Sequence, residues 1–302
     1  MSTSVIAASD PVVGEELGPK QLVASTDLIR SYVNSVGDEG FARHAAAMRL
    51  ATGASIAPPT LFDRDLGTRL FSSKYTSGYS LHAKQTFEFR RPLDEGVAYT
   101  ITGKLAKIYT RNEIDYATVE AACVAPGGET AVVSEYTRAF RFPENRYKHK
   151  PADRIRPTVA SFLEQHRANL TAAFPAVGSV LEGVSRGMTQ ALMNLYSGPG
   201  SNIHTDVLIA RRRGHPDALV QGLMTTALEC ELYREVFGAA WYTSGTIAVK
   251  YIDSIIANAC LTPLGIVVAN SGGRLDLRTT VYDENQELLT VGAASVKIQT
   301  NS

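Results

Sequence analysis

The sequence predicts an α+β fold made twice over, each copy an antiparallel sheet wrapping a long helix. Three observations predict it. The chain has 302 residues, about two domains' worth. Two long stretches lie over each other at a nearly constant shift. Val36-Gly37-Asp38 resembles Ser197-Gly198-Pro199 some 161 positions later, while Phe87-Glu88-Phe89 falls opposite Val249-Lys250-Tyr251 and Gly103 opposite Gly265, both at 162. Finally, each half has the same order, helical patterns first and strand patterns after. Similarity at a domain-length period argues for a duplicated unit whose halves are related by a pseudo-twofold.

Half one opens with a helical pattern over Gln21–Val36, followed by a Gly/Asp loop and an Ala-rich helical segment through Leu50. Pro58-Pro59 breaks the pattern and leads into Thr60–Leu70. Period-two patterns then predict strands at Leu81–Phe89, Tyr99–Tyr109, Ile114–Ala125 and Thr130–Phe140, with Gly127-Gly128 as the last hairpin turn. In half two, Gln190–Tyr196 leads to the loop Ser197–Gly200, and Asp217–Phe237 carries Leu219, Leu223, Leu228 and Leu232 at helical spacing. Strands are expected at Thr246–Ile252, Gly265–Asn270, Gly273–Tyr282 and Leu288–Gln299. Residues 1–20 read as a flexible arm, 21–142 as the first half, 143–158 as a charged, Pro-bearing linker, and 159–302 as the second half. One helix and several antiparallel strands leave an open sheet edge and an open helix flank, which pairing two such units covers.

Composition excludes whole classes of function. Thirty basic residues balance thirty acidic ones, so no overall field draws nucleic acid or an anionic membrane. No apolar run approaches the roughly 20 residues that span a bilayer. Met1–Gly18 lacks a basic n-region and carries Asp10, Glu15 and Glu16, so the expectation is a cytoplasmic protein. Cys123, Cys230 and Cys260 are odd in number and widely spaced, which excludes a disulfide framework and reads as structural thiols. No phosphate loop, nucleophile elbow or metal-ligand spacing occurs, so no metal or cofactor is expected.

The segment with most chemistry is Tyr196-Ser197-Gly198-Pro199-Gly200-Ser201-Asn202-Ile203-His204-Thr205-Asp206, followed by Ala210, Gly214 and Val220-Gln221-Gly222. It resembles the loop S-G-D-x-N-P-x-H-x-D and the apolar-x-H-G helix start of the MaoC-like, or hydratase 2, double hot-dog family. Ala57-Pro58-Pro59-Thr60, the strand His82-Ala83-Lys84-Gln85-Thr86-Phe87-Glu88 and Arg91-Pro92-Leu93 resemble the matching first half, so the likeness runs over roughly residues 20–300. It implies a double hot-dog fold and a lyase that reversibly hydrates a 2-enoyl thioester on CoA or acyl carrier protein. In that scheme an Asp is the general base, a His holds and protonates around the water, and backbone N–H groups at the helix start polarise the carbonyl.

The centre of the motif departs from the pattern. The family's Asp position holds Pro199, its Asn position Ser201 and its Pro position Asn202, while His204 and Asp206 are retained. Gln221 replaces the helix-start His and cannot shuttle protons, and Gly222 keeps the close approach to a carbonyl. The resemblance makes His204, Asp206 and Ser201 the catalytic candidates, with Tyr196, Asn202, Gln221 and Gly222 binding substrate. Arg212 and Arg213 are candidates for carrier phosphates, against the plainer reading of a solvated corner. Three accounts of the missing Asp stand open: another carboxylate replaces it, His204 works alone, or the site binds without turnover. The second suits an addition, elimination or isomerisation on an activated substrate, and the missing Asp keeps open another conjugate addition, an elimination or a thioesterase-like biosynthetic reaction. The third gives an acyl-binding subunit that pairs with a second hot-dog chain; a homodimer is the other expected assembly. In half one, Asp38 and His44 form a weaker catalytic pair, and His82 reads as a structural histidine on a strand.

Overall fold

The computed structural model describes residues 10–75, 80–141 and 154–298. In half one the order is β1 (Glu16–Val23), α1 (Thr26–Val36), α2 (Phe41–Thr52), β2 (Ile56–Ala57), α3 (Thr68–Ser72), β3 (Leu81–Phe89), β4 (Leu93–Asp94), β5 (Ala98–Arg111), β6 (Ile114–Val124) and β7 (Thr130–Arg141). Half two has α4 (Val159–Gln165), β8 (Val180–Glu182), β9 (Arg186–Gly187), α5 (Gln190–Ser197), α6 (Val207–Arg212), α7 (Gly222–Phe237) and α8 (Ala239–Ser244). It closes with β10 (Thr246–Tyr251), β11 (Cys260–Ser271), β12 (Arg274–Tyr282) and β13 (Thr290–Lys297).

The halves meet edge to edge. Strands run β1-β5-β6-β7-β3-β10-β13-β12-β11-β8, with β9 added alongside β11, so two half-sheets form one continuous sheet. At the seam β3 pairs antiparallel with β10, and Thr86 faces Ala248. Those positions are 162 apart, the repeat shift, so the pseudo-twofold passes between them. The fold is the double hot-dog that the sequence predicts, with its two sheets fused into one.

The long helix belongs to half two alone. α7 buries residues around its whole circumference, among them Leu223, Met224, Leu228, Tyr233 and Phe237. Its counterpart by the repeat, Thr60–Tyr75, is mostly turns ending in the five-residue α3. This corrects the expectation of a long helix in each sheet. The trace of the duplication survives in two glycines. A Cβ on Gly103 would lie 2.7 Å from Leu70 of α3, and one on Gly265 would lie 2.8 Å from the Tyr233 hydroxyl of α7. Both are spots where the helical segment crosses close over the sheet, so the two halves make the same steric demand at the same shift.

Three boundaries move. β1 takes Glu16–Val23, the end of the expected arm and the start of the expected first helix, by pairing with β5. α1 starts instead at Thr26, where the Ser25 hydroxyl accepts from the Leu28 N–H. Residues 217–221 are extended rather than helical, because Leu219 and Val220 donate to the Ile203 and Ile255 carbonyls. Residues 1–9 and most of the expected linker lie outside the described residues; of its remainder, Arg154 and Arg156 pair with Asp253. Trp241 and Tyr242 are buried packing residues, as expected; Cys123 and Cys230 are buried and Cys260 is partly exposed.

One buried acid is unusual. Glu229 of α7 is fully buried, and its Oε1 accepts from the Thr279 hydroxyl at 2.7 Å. Burial raises its pKa to about 8. A folded-state value above the unfolded one means that the native state holds the proton between about pH 4.5 and 8. Stability from this group is therefore lost as pH rises through that window. Glu229→Gln keeps the acceptor for Thr279 and removes the titration. Thermal melts at pH 5.5 and 8.5 should show the variant gaining on the wild type at the higher pH.

Candidate active site

A cavity of about 910 Å³ opens along the seam, with walls from both halves. Half one contributes α3, the start of β3 and parts of β5, β6 and β7; half two contributes the end of α5, the His204 loop, the start of α7 and the residues after β10.

The loop after α5 is built by its own side chains. Asn202 Oδ1 accepts from the His204 N–H at 2.8 Å, and the Asn202 N–H donates to the Thr205 hydroxyl at 3.0 Å. The His204 carbonyl accepts from the Gln190 side-chain amide. These contacts fix the backbone at His204, and the extended run 218–220 fixes its ring. His204 Nδ1 lies 2.7 Å from the Leu219 carbonyl. A carbonyl only accepts, so Nδ1 carries the proton and Nε2 presents a lone pair. Nε2 has no hydrogen-bond partner among the described residues, and His204 lines the cavity. Burial, assisted by the nearby Arg64 charge, lowers its pKa to about 4 against the pull of the Leu219 carbonyl. The ring is neutral at ordinary pH.

Beside it the first turn of α7 faces the cavity. Gln221 is the N-cap residue, its amide donating to the Ser197 hydroxyl. The N–H groups of Gly222 and Leu223 find no acceptor among the described residues, as first-turn donors do. Gly222 is demanded by packing, since a Cβ there would sit 2.9 Å from the Tyr251 ring. Tyr251 and Tyr136 flank His82 at centroid distances of 4.5 and 4.4 Å. His82 Nε2 donates to the Lys84 carbonyl at 2.9 Å, and burial lowers its pKa to about 3. It is a packed residue that also faces the cavity.

Of the sequence candidates, the structure brings His204, Asn202, Tyr196, Gln221 and Gly222 to the cavity wall. Others it places elsewhere. Asp206 is the N-cap of α6, its Oδ1 accepting from the Leu208 and Ile209 N–H groups at 2.9 and 3.2 Å, so a capping role replaces the catalytic one. Ser201 and Pro199 are exposed and off the cavity lining. Arg212 and Arg213 are exposed at the end of α6, also off the lining, which favours the solvated corner. In half one, Asp38 is buried in a two-pronged ion pair with Arg234 of α7, and His44 stacks on Tyr242, so that pair is structural.

The sequence reading missed the cations of the cavity. Arg64, Lys84, Arg111, Arg138, Arg154 and Lys250 line it, against a single carboxylate among the described residues, Asp253. Asp253 is itself committed to Arg154 and Arg156. It also missed Asp63, a buried acid whose Oδ2 accepts from the Tyr196 hydroxyl at 2.6 Å and from the Tyr32 hydroxyl at 3.3 Å. Burial raises Asp63 to about 7, opposed by those hydroxyls and by Arg64.

No family model matches the chain, and no curated protein matches it. Solved structures do. A MaoC-like dehydratase superposes with a TM-score of 0.75 at 19% identity, covering 95% of this chain and 98% of its own. A putative MaoC domain dehydratase from Chloroflexus aurantiacus gives 0.70 at 12% identity, with 99% and 100% covered. A Mycobacterium tuberculosis protein described as having a double hotdog fold gives 0.63 at 13% identity, with 95% and 96% covered. The chain thus has the double hot-dog fold of solved MaoC-like dehydratases along nearly its whole length.

Asp206 supplies a test of the reassigned loop. Asp206→Ala should cost about 1 kcal/mol of stability in denaturant unfolding, the usual worth of an N-cap, and Asp206→Asn only a few tenths.

Proposed function

We propose that the protein is a lyase of the hydratase–dehydratase type, acting on an α,β-unsaturated or 3-hydroxyacyl thioester carried by CoA or acyl carrier protein. The observation that carries this is His204 Nε2: a neutral, orientated lone pair on the cavity wall, with the open first turn of α7 beside it.

A water hydrogen-bonded to Nε2 gives its proton to the imidazole as its oxygen bonds to the β-carbon. The double-bond electrons move toward the thioester oxygen, where the Gly222 and Leu223 N–H groups and the positive end of α7 meet the charge. The enolate then collapses, and its α-carbon takes the proton back from Nε2. One imidazole serves both steps and ends as it began, so no carboxylate is required. Dehydration is the same sequence reversed. A base this weak suits a substrate whose α-proton is already acidified by the thioester.

The carrier's charge has a place to go. Lys84 and Lys250 face each other directly across the β3–β10 pairing, both exposed on the cavity wall, and neither has an ion pair among the described residues. Like charges opposed across a sheet repel, so an anion between them is stabilising. This pair takes the phosphate role first given to Arg212 and Arg213.

Two measurements test the reading. With a crotonyl thioester, His204→Ala should lose about 10²- to 10⁴-fold in kcat, the range for general acid–base groups. The wild-type rate should hold level at neutral pH and fall as pH drops toward about 4, where His204 takes up a proton. Tight thioester binding without turnover would instead favour the acyl-binding subunit, which the lack of a carboxylate beside His204 supports. Separately, Lys84→Gln with Lys250→Gln should raise KM for a CoA thioester about 3- to 10-fold, the worth of two exposed charge contacts. KM for the pantetheine thioester, which lacks the nucleotide phosphates, should change little.

A further inference from the structure

Arg64 lies between two acids, Asp63 and Asp65, and pairs with neither. Asp65 is held by Lys20 at 2.6 Å and Arg69 at 2.8 Å. Asp63 spends its oxygens on the Tyr196 and Tyr32 hydroxyls and on the backbone N–H of Arg64. The Arg64 guanidinium instead reaches the end of α5, donating through Nη1 to the Tyr196 carbonyl and through Nη2 to the Ser197 carbonyl at 2.9 Å. It also lies 5.5 Å from the centroid of the Tyr196 ring. Two of its five N–H donors are used in this way, and three remain. The helix end offers a partial negative charge, well short of a full counter-ion.

A half-buried guanidinium with no carboxylate costs free energy unless something else supplies the charge. Arg64 lines the cavity, as do His204 and the two α5 residues it holds, Tyr196 and Ser197. The other anionic parts of the substrate are accounted for: the developing thioester oxyanion at the α7 start, and the carrier phosphates at the exposed lysines. What is left for an inner, planar, forked donor is a carboxylate on the acyl group, the geometry a guanidinium matches best.

We propose that Arg64 anchors a carboxylate on the acyl group, so that the substrate class is the monothioester of an unsaturated or hydroxylated dicarboxylic acid. This rests on the hydratase–dehydratase reading and narrows its substrate.

The test compares two four-carbon pantetheine thioesters, fumaroyl with a terminal carboxylate and crotonyl with a terminal methyl. Wild type should favour fumaroyl by about tenfold or more in kcat/KM, chiefly through KM. Arg64→Gln should collapse that ratio toward one, and Arg64→Lys should restore part of it. A merely structural arginine would lower the melting temperature without moving the ratio. If crotonyl is turned over as well as fumaroyl by the wild type, the carboxylate anchor is overturned and the hydratase reading stands. If neither thioester is turned over, the hydratase reading falls and calorimetry with the same two thioesters, fumaroyl and crotonyl, decides the anchor. Fumaroyl binding that Arg64→Gln abolishes supports it, and equal or absent binding of both thioesters overturns it. Should Arg64→Gln fail to fold, the wild-type ratio and the fumaroyl titration decide alone.

Discussion

Because β3 and β10 pair antiparallel with Thr86 facing Ala248, the two halves share one sheet, and everything at the site follows from where that seam runs. The pairing removes two exposed sheet edges at once. It sets Lys84 opposite Lys250 and carries Tyr251 across to the His82 ring. It also brings the β3 end of half one against the α7 start of half two, so the cavity has a wall from each. Neither half could form the site alone, although only half two keeps the long helix whose first turn opens on it.

Duplication relaxes the constraint on whichever half no longer does the chemistry. In half one the segment equivalent to α7 has become turns and α3, and those turns are where Asp63 and Arg64 sit. By the same repeat, their counterparts in half two are Thr225 and Thr226 on the buried helix. With turns in place of a helix, one half puts Arg64 on the wall of a cavity that the other half's Tyr196 and His204 also line. Arg64 then ties the halves together by holding the end of α5.

Much of this was legible in the sequence, and what was not has physical reasons. The strands were readable because their buried faces repeat every two residues, and the shift of 162 was readable because Gly103 and Gly265 meet the same steric demand. His204 could be placed by its loop. The α7 start was misjudged because Leu219 falls at helical spacing, yet its backbone is claimed by Ile203 and its carbonyl by the His204 ring. Arg212 and Arg213 stand together in the chain as candidates for phosphate, but adjacency along the chain carries no information about which surface they face. Asp63-Arg64-Asp65 reads locally as a self-neutralising, solvated trio. Only the tertiary structure separates its members, sending Asp65 to Lys20 and Arg69 and Asp63 to two tyrosines.

The contrast between the buried Arg234 and the half-buried Arg64 sharpens what that separation means. Arg234 of α7 meets Asp38 with both prongs, a closed pair whose charges cancel inside the fold. Arg64 has a carboxylate as its chain neighbour, but burial holds Asp63 up to about 7, so near neutral pH it carries only part of a negative charge. The hydroxyls of Tyr32 and Tyr196 stabilise what charge it has, and they hold it away from the guanidinium. The fold therefore neutralises one arginine completely and leaves the other short of a counter-ion at the cavity wall. The difference comes from where the acids are spent, and it fixes the sign of the ligand that completes the site.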